Sequence, residues 1–172
     1  KEGKKAGLMT CQDSTAIGTN LDLIDVFYNY GLRVMQLTYN PQNYVGAGCT
    51  ERTNAGITNF GVKFIERMNK LGMIVDTGHC GKQTTLDACK LSTAPVIASH
   101  AAAQGVTTHA RGKSDEELIA IANTGGVIGI VVVPHFVHFD GDNATMEHVL
   151  NHIDYIANLV GVDHVGIGTD WP

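Results

Sequence analysis

Cysteine is scarce in this sequence, with four residues in 172 and no CxxC pair. A disulfide-stabilised scaffold has a much higher cysteine density, and cysteine metal sites are usually built from closely spaced pairs. We therefore expect the four thiols to be buried or reduced and not to bind metal: Cys11, Cys49, Cys80 and Cys89.

Long apolar runs and clusters of positive charge are also missing. The longest apolar stretch, 126–133, is far shorter than the roughly 20 residues that span a bilayer, so we predict no transmembrane segment. The net charge is −5 and the charged residues are scattered, which leaves no basic surface for a nucleic-acid backbone. The first residues lack the apolar segment of a secretory signal, and the compartment stays open between cytoplasm and export.

What the chain does have is a regular alternation of short apolar runs and longer amphipathic stretches. The hydrophobic content of 44% is ample for the core of a single domain. Near-continuous apolar runs predict strands buried on both faces, at 7–11, 33–38, 73–77, 95–99, 127–133 and 164–168. Helical periodicity predicts helices around 21–28, 60–68, 84–91, 115–123 and 145–160. A capping box at Ser114 and Glu117 marks one helix start, and left-handed glycines are expected to end three helices, at Gly31, Gly72 and Gly161.

Alternating strands and helices predict an α/β fold with a parallel sheet, either a (β/α)8 TIM-type barrel or a doubly wound sheet. The barrel is favoured because no GxGxxG loop follows the first strand and because polar residues follow many strands. Six βα units cannot close an eight-stranded barrel, which usually takes about 250 residues. We therefore expect 1–172 to be a single domain and a partial barrel, with strands before it and an end after it belonging to a longer protein.

Side chains that can bind metal or exchange protons follow five of the six predicted strands: Gln12, Tyr39 with Asn40, His79, His100 and Asp170. In a barrel these strand ends share one rim. Two imidazoles and a carboxylate converging from separate strands are typical of a catalytic zinc site with an open position for water. The pattern predicts a metal-dependent hydrolase.

Other polar residues leave alternatives open. Asp76, inside an apolar run, is either a satisfied buried carboxylate or a support for a metal ligand. Arg111 is either a solvated loop cation or a fork that grips a substrate carboxylate through two parallel hydrogen bonds. His148 and His152 lie four residues apart on one helix, but the glutamate of HExxH is missing, so we expect an exposed helix face.

Five segments follow one another in a characteristic order: Val75-Asp76-Thr77-Gly78-His79, Ala98-Ser99-His100, Arg111, His152-Ile153-Asp154-Tyr155-Ile156 and Gly166-Ile167-Gly168-Thr169-Asp170. Together they resemble the membrane dipeptidase (renal dipeptidase) family of zinc peptidases, and the resemblance extends over nearly the whole chain. It implies a (β/α)8 barrel with two zinc ions that hydrolyses dipeptides and tolerates D-residues at their C-terminal position. His79 and His100 would bind the second zinc, Arg111 the substrate carboxylate, and Asp170 would be the acid near the attacking water.

The sequence departs from the family in three places. The His-x-Asp pair that completes the first zinc site has no counterpart. Gln12 stands where many members have the glutamate that bridges both metals, and Tyr39 stands where many have a substrate-binding histidine; some bacterial relatives are similar to this chain at both positions. Because an amide offers one neutral oxygen where a carboxylate can bridge two cations, one zinc could be lost.

Three functions remain open at this point. The first is a zinc-dependent dipeptidase acting on small dipeptides. The second is a mononuclear amidohydrolase acting on another amide or a lactone, because Gln12 and Tyr39 alter the site. The third is a catalytically impaired relative that only binds a ligand or assembles with a partner chain. The oligomeric state is open, with a homodimer as one option.

Overall fold

A computed structural model describes residue 3 and residues 5–171 of the chain. This part of the chain contains seven strands: β1 Met9–Cys11, β2 Leu32–Gln36, β3 Ile74–Asp76, β4 Val96–Ala103, β5 Gly112–Lys113, β6 Ile128–Ile130 and β7 Val165–Ile167. Its α-helices are α1 Asp22–Asn29, α2 Asn59–Leu71, α3 Lys82–Leu91, α4 Asp115–Asn123, α5 Pro134–Val137 and α6 Met146–Val160. No helix among these residues is both long enough and apolar enough to cross a bilayer.

The strands form one parallel sheet in the order β1-β2-β3-β4-β6-β7, with β5 paired to the end of β4. Neighbours in the sheet follow chain order, so there is no point at which the strand order reverses, as it does in a doubly wound sheet. The sheet also curls, because residues at the ends of β1 and β7 line the same cavity of about 250 Å³. The expectation of a partial barrel is confirmed.

All six predicted strands are present, with ends shifted by a few residues. The seventh, β5, was not predicted because two residues carry no hydrophobic pattern. The five predicted helices are also present, and the capping box of Ser114 and Glu117 forms at the start of α4. Gly72 ends α2 in the left-handed conformation, with φ 74°.

Two apolar clusters hold the helices against the outside of the sheet. One packs α1 and α2 on the first strands through Ile24, Phe64 and Met68. The other packs α4 and α6 on β4 and β6 through residues such as Ile121 and Ile156. Each fully buried aliphatic or aromatic side chain stabilises the fold by about 1.5–3 kcal/mol. The packing fixes the strand ends on which the polar residues stand.

The expectation of an exposed helix face was wrong for His152. This side chain is fully buried, where its Nδ1 accepts a hydrogen bond from Ala103 N at 3.0 Å and its Nε2 donates to Val137 O at 3.2 Å. His152 therefore ties α6 to the end of β4 and to α5. His148 is half-buried, and its Nδ1 accepts from Thr145 N at 2.9 Å to cap the helix start. The spacing of His148 and His152 on one helix could not reveal that residues from other parts of the chain, such as Ala103 and Val137, bury His152.

Sequence reasoning also missed a buried ion pair between Lys113 and Glu117. The Lys113 ammonium lies 3.3 Å from a Glu117 carboxylate oxygen, with only 2% and 3% of the two side chains exposed. It also donates to Cys80 O and Thr85 Oγ1, each at 2.8 Å. Burial alone would raise the pKa of Glu117, but the Lys113 charge and the hydrogen bonds from Ser114 lower it overall. The carboxylate is therefore held in its charged form.

A Lys113→Ala variant should lose about 3–5 kcal/mol of unfolding free energy, because it leaves a buried carboxylate without its cation. Lys82→Ala is the matched control, since Lys82 pairs with Glu116 at 2.7 Å but 46% and 63% of the two side chains are exposed. We expect no measurable change in the control. Urea unfolding of both variants checks this, and equal losses would show that burial of the pair does not matter.

Candidate functional site

Three polar side chains meet where Gln12 follows β1, His79 follows β3 and His100 lies in the second half of β4. The amide nitrogen of Gln12 lies 3.1 Å from His79 Nε2 and 3.2 Å from His100 Nε2. The two imidazole centroids are 4.9 Å apart. The parallel sheet thus brings together residues that are up to 88 positions apart in sequence.

The His79 ring is oriented by two residues that follow β2. His79 Nδ1 lies 2.7 Å from Asn40 Oδ1, and an amide oxygen can only accept, so Nδ1 carries the proton. Tyr39 stacks on the same ring, with centroids 4.1 Å apart and an angle of 22° between the planes. The Nε2 lone pair of His79 is therefore directed toward Gln12.

The His100 ring is oriented from below by Ser99 and Asp76. His100 lies within β4, which continues to Ala103, and not after the strand as its sequence suggested. Its Nδ1 is 2.8 Å from Ser99 Oγ, and Ser99 Oγ donates to Asp76 Oδ2 at 2.6 Å. The other carboxylate oxygen of Asp76 accepts from Gly78 N and Ser99 N, both at 2.9 Å. Asp76 is thus a satisfied buried carboxylate that also contacts the residue supporting His100.

Both imidazoles are held neutral. Burial, followed by the nearby Arg111 guanidinium, lowers the pKa of His79 to about 3. The same two causes lower the pKa of His100, although the Asp170 carboxylate opposes them. Neutral imidazole is the form that binds a metal ion, because the lone pair must be free.

Asp170 reaches the site from the loop after β7. Its Oδ1 lies 3.9 Å from His100 Nε2, and 31% of its side chain is exposed. Its φ of 55° is left-handed, a conformation that aspartate and asparagine tolerate better than most residues. A Cβ at Gly168 would collide with Ser99 O, so glycine allows the end of β7 to approach β4 closely. Asp170 and Gln12 both line the 250 Å³ cavity.

Arg111 is not a solvated loop cation, because its side chain is buried. One terminal nitrogen donates to Gly78 O and the other to His100 O at 3.2 Å, which ties the loop after β3 to the loop after β4. The fork expected for a substrate carboxylate is thus directed at two backbone carbonyls. Among the residues that the structure describes, none forms a hydrogen bond with the buried Nε of Arg111.

One residue beneath the site was not anticipated. Gln36 at the end of β2 is fully buried, and its Nε2 donates to Gln12 O and Thr38 O, both at 2.9 Å. It therefore fixes the backbone that carries the Gln12 amide. The available signal was a polar residue that directly follows the buried pair Val34 and Met35 in the strand.

These donors are of the kind that can bind a metal ion. Two neutral imidazoles direct their Nε2 lone pairs at one point, and Gln12 could offer its oxygen there after a half-turn of its amide. Among the residues described, no three His, Cys, Asp or Glu side chains converge closely enough to hold a metal by themselves. The third side chain at this rim that can bind a metal is therefore the neutral amide of Gln12.

The chain is similar to one family along its whole length. The family model described as membrane dipeptidase, peptidase family M19, matches residues 1–172. Dipeptidase tcpJ of Claviceps purpurea is 32% identical over 173 aligned residues, which cover 99% of this chain and 41% of that protein.

Solved structures give the same result. An amidohydrolase from Pseudomonas aeruginosa superposes with a TM-score of 0.90 at 36% identity, covering 95% of this chain and 50% of that one. A metallo peptidase from Rhodobacter sphaeroides, liganded with a phosphinate mimic of the dipeptide L-Ala-D-Ala, has a TM-score of 0.89 at 29% identity, covering 96% and 50%. The chain spans about half the length of these structures and less than half of the curated relative.

Proposed function

The chain belongs to the membrane dipeptidase family, peptidase family M19, and we propose that it carries the zinc-binding rim of a metallo-dipeptidase that hydrolyses dipeptides with an activated water. The family is one of metallopeptidases. The observation that supports the proposal is that the Gln12 amide nitrogen lies within 3.2 Å of the Nε2 atoms of both His79 and His100. A carboxylate oxygen of Asp170 lies 3.9 Å from His100 Nε2. Ligands with free lone pairs beside a carboxylate that can act as a base suit metal-assisted hydrolysis.

Each residue has a separate task in this proposal. When bound, zinc polarises the scissile carbonyl and acidifies the attacking water. His79 and His100 hold the ion in place. Asp170 takes a proton from the water and passes it to the leaving amine. Because Asp170 lies 3.9 Å from His100 Nε2 and 31% of its side chain is exposed, it could contact both solvent and a substrate in the cavity.

Substrate contacts would come from Arg111 and Tyr39. Arg111 would donate a charge-assisted hydrogen bond to the terminal carboxylate of a dipeptide, which requires its buried guanidinium to turn from the carbonyls of Gly78 and His100 toward the substrate. Tyr39 extends from the His79 ring on which it stacks and is partly exposed, so it can contact the rest of the substrate. A hydrogen bond from Arg111 to the terminal carboxylate would select the peptide bond next to the C-terminus.

We propose that these residues bind one zinc and not two. Gln12 lies where a bridging carboxylate would have to stand, and a neutral amide cannot cancel the charge of two neighbouring cations. We further propose that the described residues act as one domain. Homodimerisation is a separate proposal, which a mass measurement in solution would test.

The decisive experiment combines metal analysis with a substrate panel. Protein saturated with zinc and then desalted should retain about one zinc per chain, and chelation should abolish hydrolysis. Dipeptides should be cleaved faster than the same dipeptides with an amidated C-terminus, because amidation removes the carboxylate that Arg111 would bind. Equal rates on both substrates would contradict the role of Arg111, and retention of much less than one zinc would favour a relative that only binds.

A second candidate is a mononuclear amidohydrolase acting on another amide or on a lactone. Gln12 and Tyr39 favour it, because both differ from the residues that many dipeptidases of the family carry at these positions. The similarity to a protein described as an amidohydrolase is compatible with it. Faster hydrolysis of N-acyl amino acids or lactones than of dipeptides would select this candidate.

A further inference from the structure

A chain of hydrogen bonds runs beneath His100, on the side facing away from Gln12. It begins at the buried Asp76 carboxylate, passes through Ser99 Oγ at 2.6 Å and reaches His100 Nδ1 at 2.8 Å. Asp76 and Ser99 are 23 residues apart and meet because β3 and β4 pair in parallel with Asp76 opposite Ile97. We name these three side chains the relay.

The relay permits only one arrangement of protons. A carboxylate accepts hydrogen bonds and cannot donate them, so the single hydroxyl proton of Ser99 must point to Asp76. Ser99 Oγ then has only lone pairs to offer to His100, and it must accept from a protonated Nδ1. In a neutral ring this leaves Nε2 without a proton.

The opposite side of the ring requires the same arrangement. Gln12 Nε2 lies 3.2 Å from His100 Nε2, and an amide N–H needs a lone pair as its partner. The same amide group lies 3.1 Å from His79 Nε2, whose lone pair is fixed independently by Asn40. Two protons of one NH₂ group thus match two ring lone pairs.

From this geometry we propose that Asp76 is a positioning residue that acts through Ser99 to hold His100 with its proton on Nδ1 and its Nε2 lone pair aimed at the rim. The use of that lone pair as a zinc ligand rests on the proposed function. The tautomer of His100 is independent of the proposed function, because it follows from hydrogen bonds within the protein. Partners of this kind are commonly worth about 10–100-fold in metal affinity.

The first test needs no variant and no metal. Nitrogen-15 NMR of histidine-labelled, metal-free protein at neutral pH separates protonated from unprotonated ring nitrogens. We expect Nδ1–H and a bare Nε2 for both His79 and His100. A proton on Nε2 of His100 would overturn the proposal, whatever the enzymatic activity proves to be.

The second test reverses the relay. In Asp76→Asn the amide oxygen should take the position that accepts from Gly78 N and Ser99 N, which leaves the NH₂ group facing Ser99 Oγ. The Ser99 proton must then turn to His100, so the ring should shift its proton to Nε2. We expect zinc affinity to fall by about 10–100-fold.

Two comparisons separate this role from general damage to the fold. The His79 ring is an internal control, since Asn40 should keep its proton on Nδ1 in the same spectrum. Ser99→Ala removes the bridge without reversing it, so only the Gln12 amide still favours the proton on Nδ1, and His100 should gain a fraction of the other tautomer. This variant decides the matter if Asp76→Asn does not fold. An unchanged His100 signal in a folded variant would show that Asp76 does not control the tautomer.

Discussion

An Asp170→Asn variant is expected to lose about 10²–10⁴-fold in the turnover of dipeptides while keeping its zinc. The loss follows if Asp170 is the group that accepts the proton of the attacking water, because a neutral amide is far too weak a base. Zinc should remain because the two imidazoles are held by Asn40 and by Ser99, neither of which contacts Asp170 by a hydrogen bond.

The choice of asparagine makes the test specific for charge. Asp170 adopts a left-handed backbone with φ 55°, which asparagine also tolerates, whereas alanine would add strain. The two side chains have nearly the same shape, so the loop after β7 should keep its position. Asp163→Asn, an exposed carboxylate just before β7, is the matched control and should leave turnover unchanged.

Rates should be measured at saturating zinc, with metal content determined on the same samples. Retained turnover in Asp170→Asn would remove Asp170 from the mechanism. Loss of zinc together with turnover would make it a metal ligand instead of a base. The 3.9 Å separation from His100 Nε2 is short enough for either role, which is why both quantities have to be measured.

The sequence was sufficient to predict which residues share the rim, because that depends on strand order alone. In a parallel sheet with neighbours in chain order, residues at successive carboxyl ends must lie side by side. Gln12, His79 and His100 therefore could be grouped before any coordinates were known. The structure places the Gln12 amide within hydrogen-bonding distance of both imidazoles, as the strand order predicts.

What the sequence could not predict depends on side-chain orientation and on exact register. Ser99 reaches Asp76 because of the pairing between β3 and β4, which no local pattern encodes. Arg111 lies on a loop, yet its side chain turns inward to backbone carbonyls. His152 has the spacing of a surface residue and is buried by segments that are distant in sequence. In each case a polar side chain is paired inside the protein, where burial without a partner would be costly.

A Gln12→Glu variant is expected to bind zinc about 10²–10³-fold more tightly than the natural protein. The amide at position 12 contacts both Nε2 atoms and contributes no charge. A carboxylate there adds an attraction of about 4 kcal/mol for unit charges 4 Å apart at an effective dielectric constant of 20, and each 1.4 kcal/mol is about tenfold in affinity. Competition with a chelator of known affinity measures the change, and Gln104→Glu adds the same charge in an exposed loop as the control.

The metal-free form of Gln12→Glu should behave in the opposite way. Its carboxylate oxygens would face two imidazole lone pairs that the natural amide satisfies with its NH₂ group, and lone pairs facing lone pairs repel. The variant should therefore unfold at a lower temperature than the natural protein without zinc and at a higher temperature with it, since a ligand that binds only the folded state stabilises it. Because the two effects have opposite signs, no general change in stability can imitate them. If zinc affinity and both unfolding temperatures stay unchanged, the side chain at position 12 does not face the ion, and the one-zinc site cannot be built from these three residues.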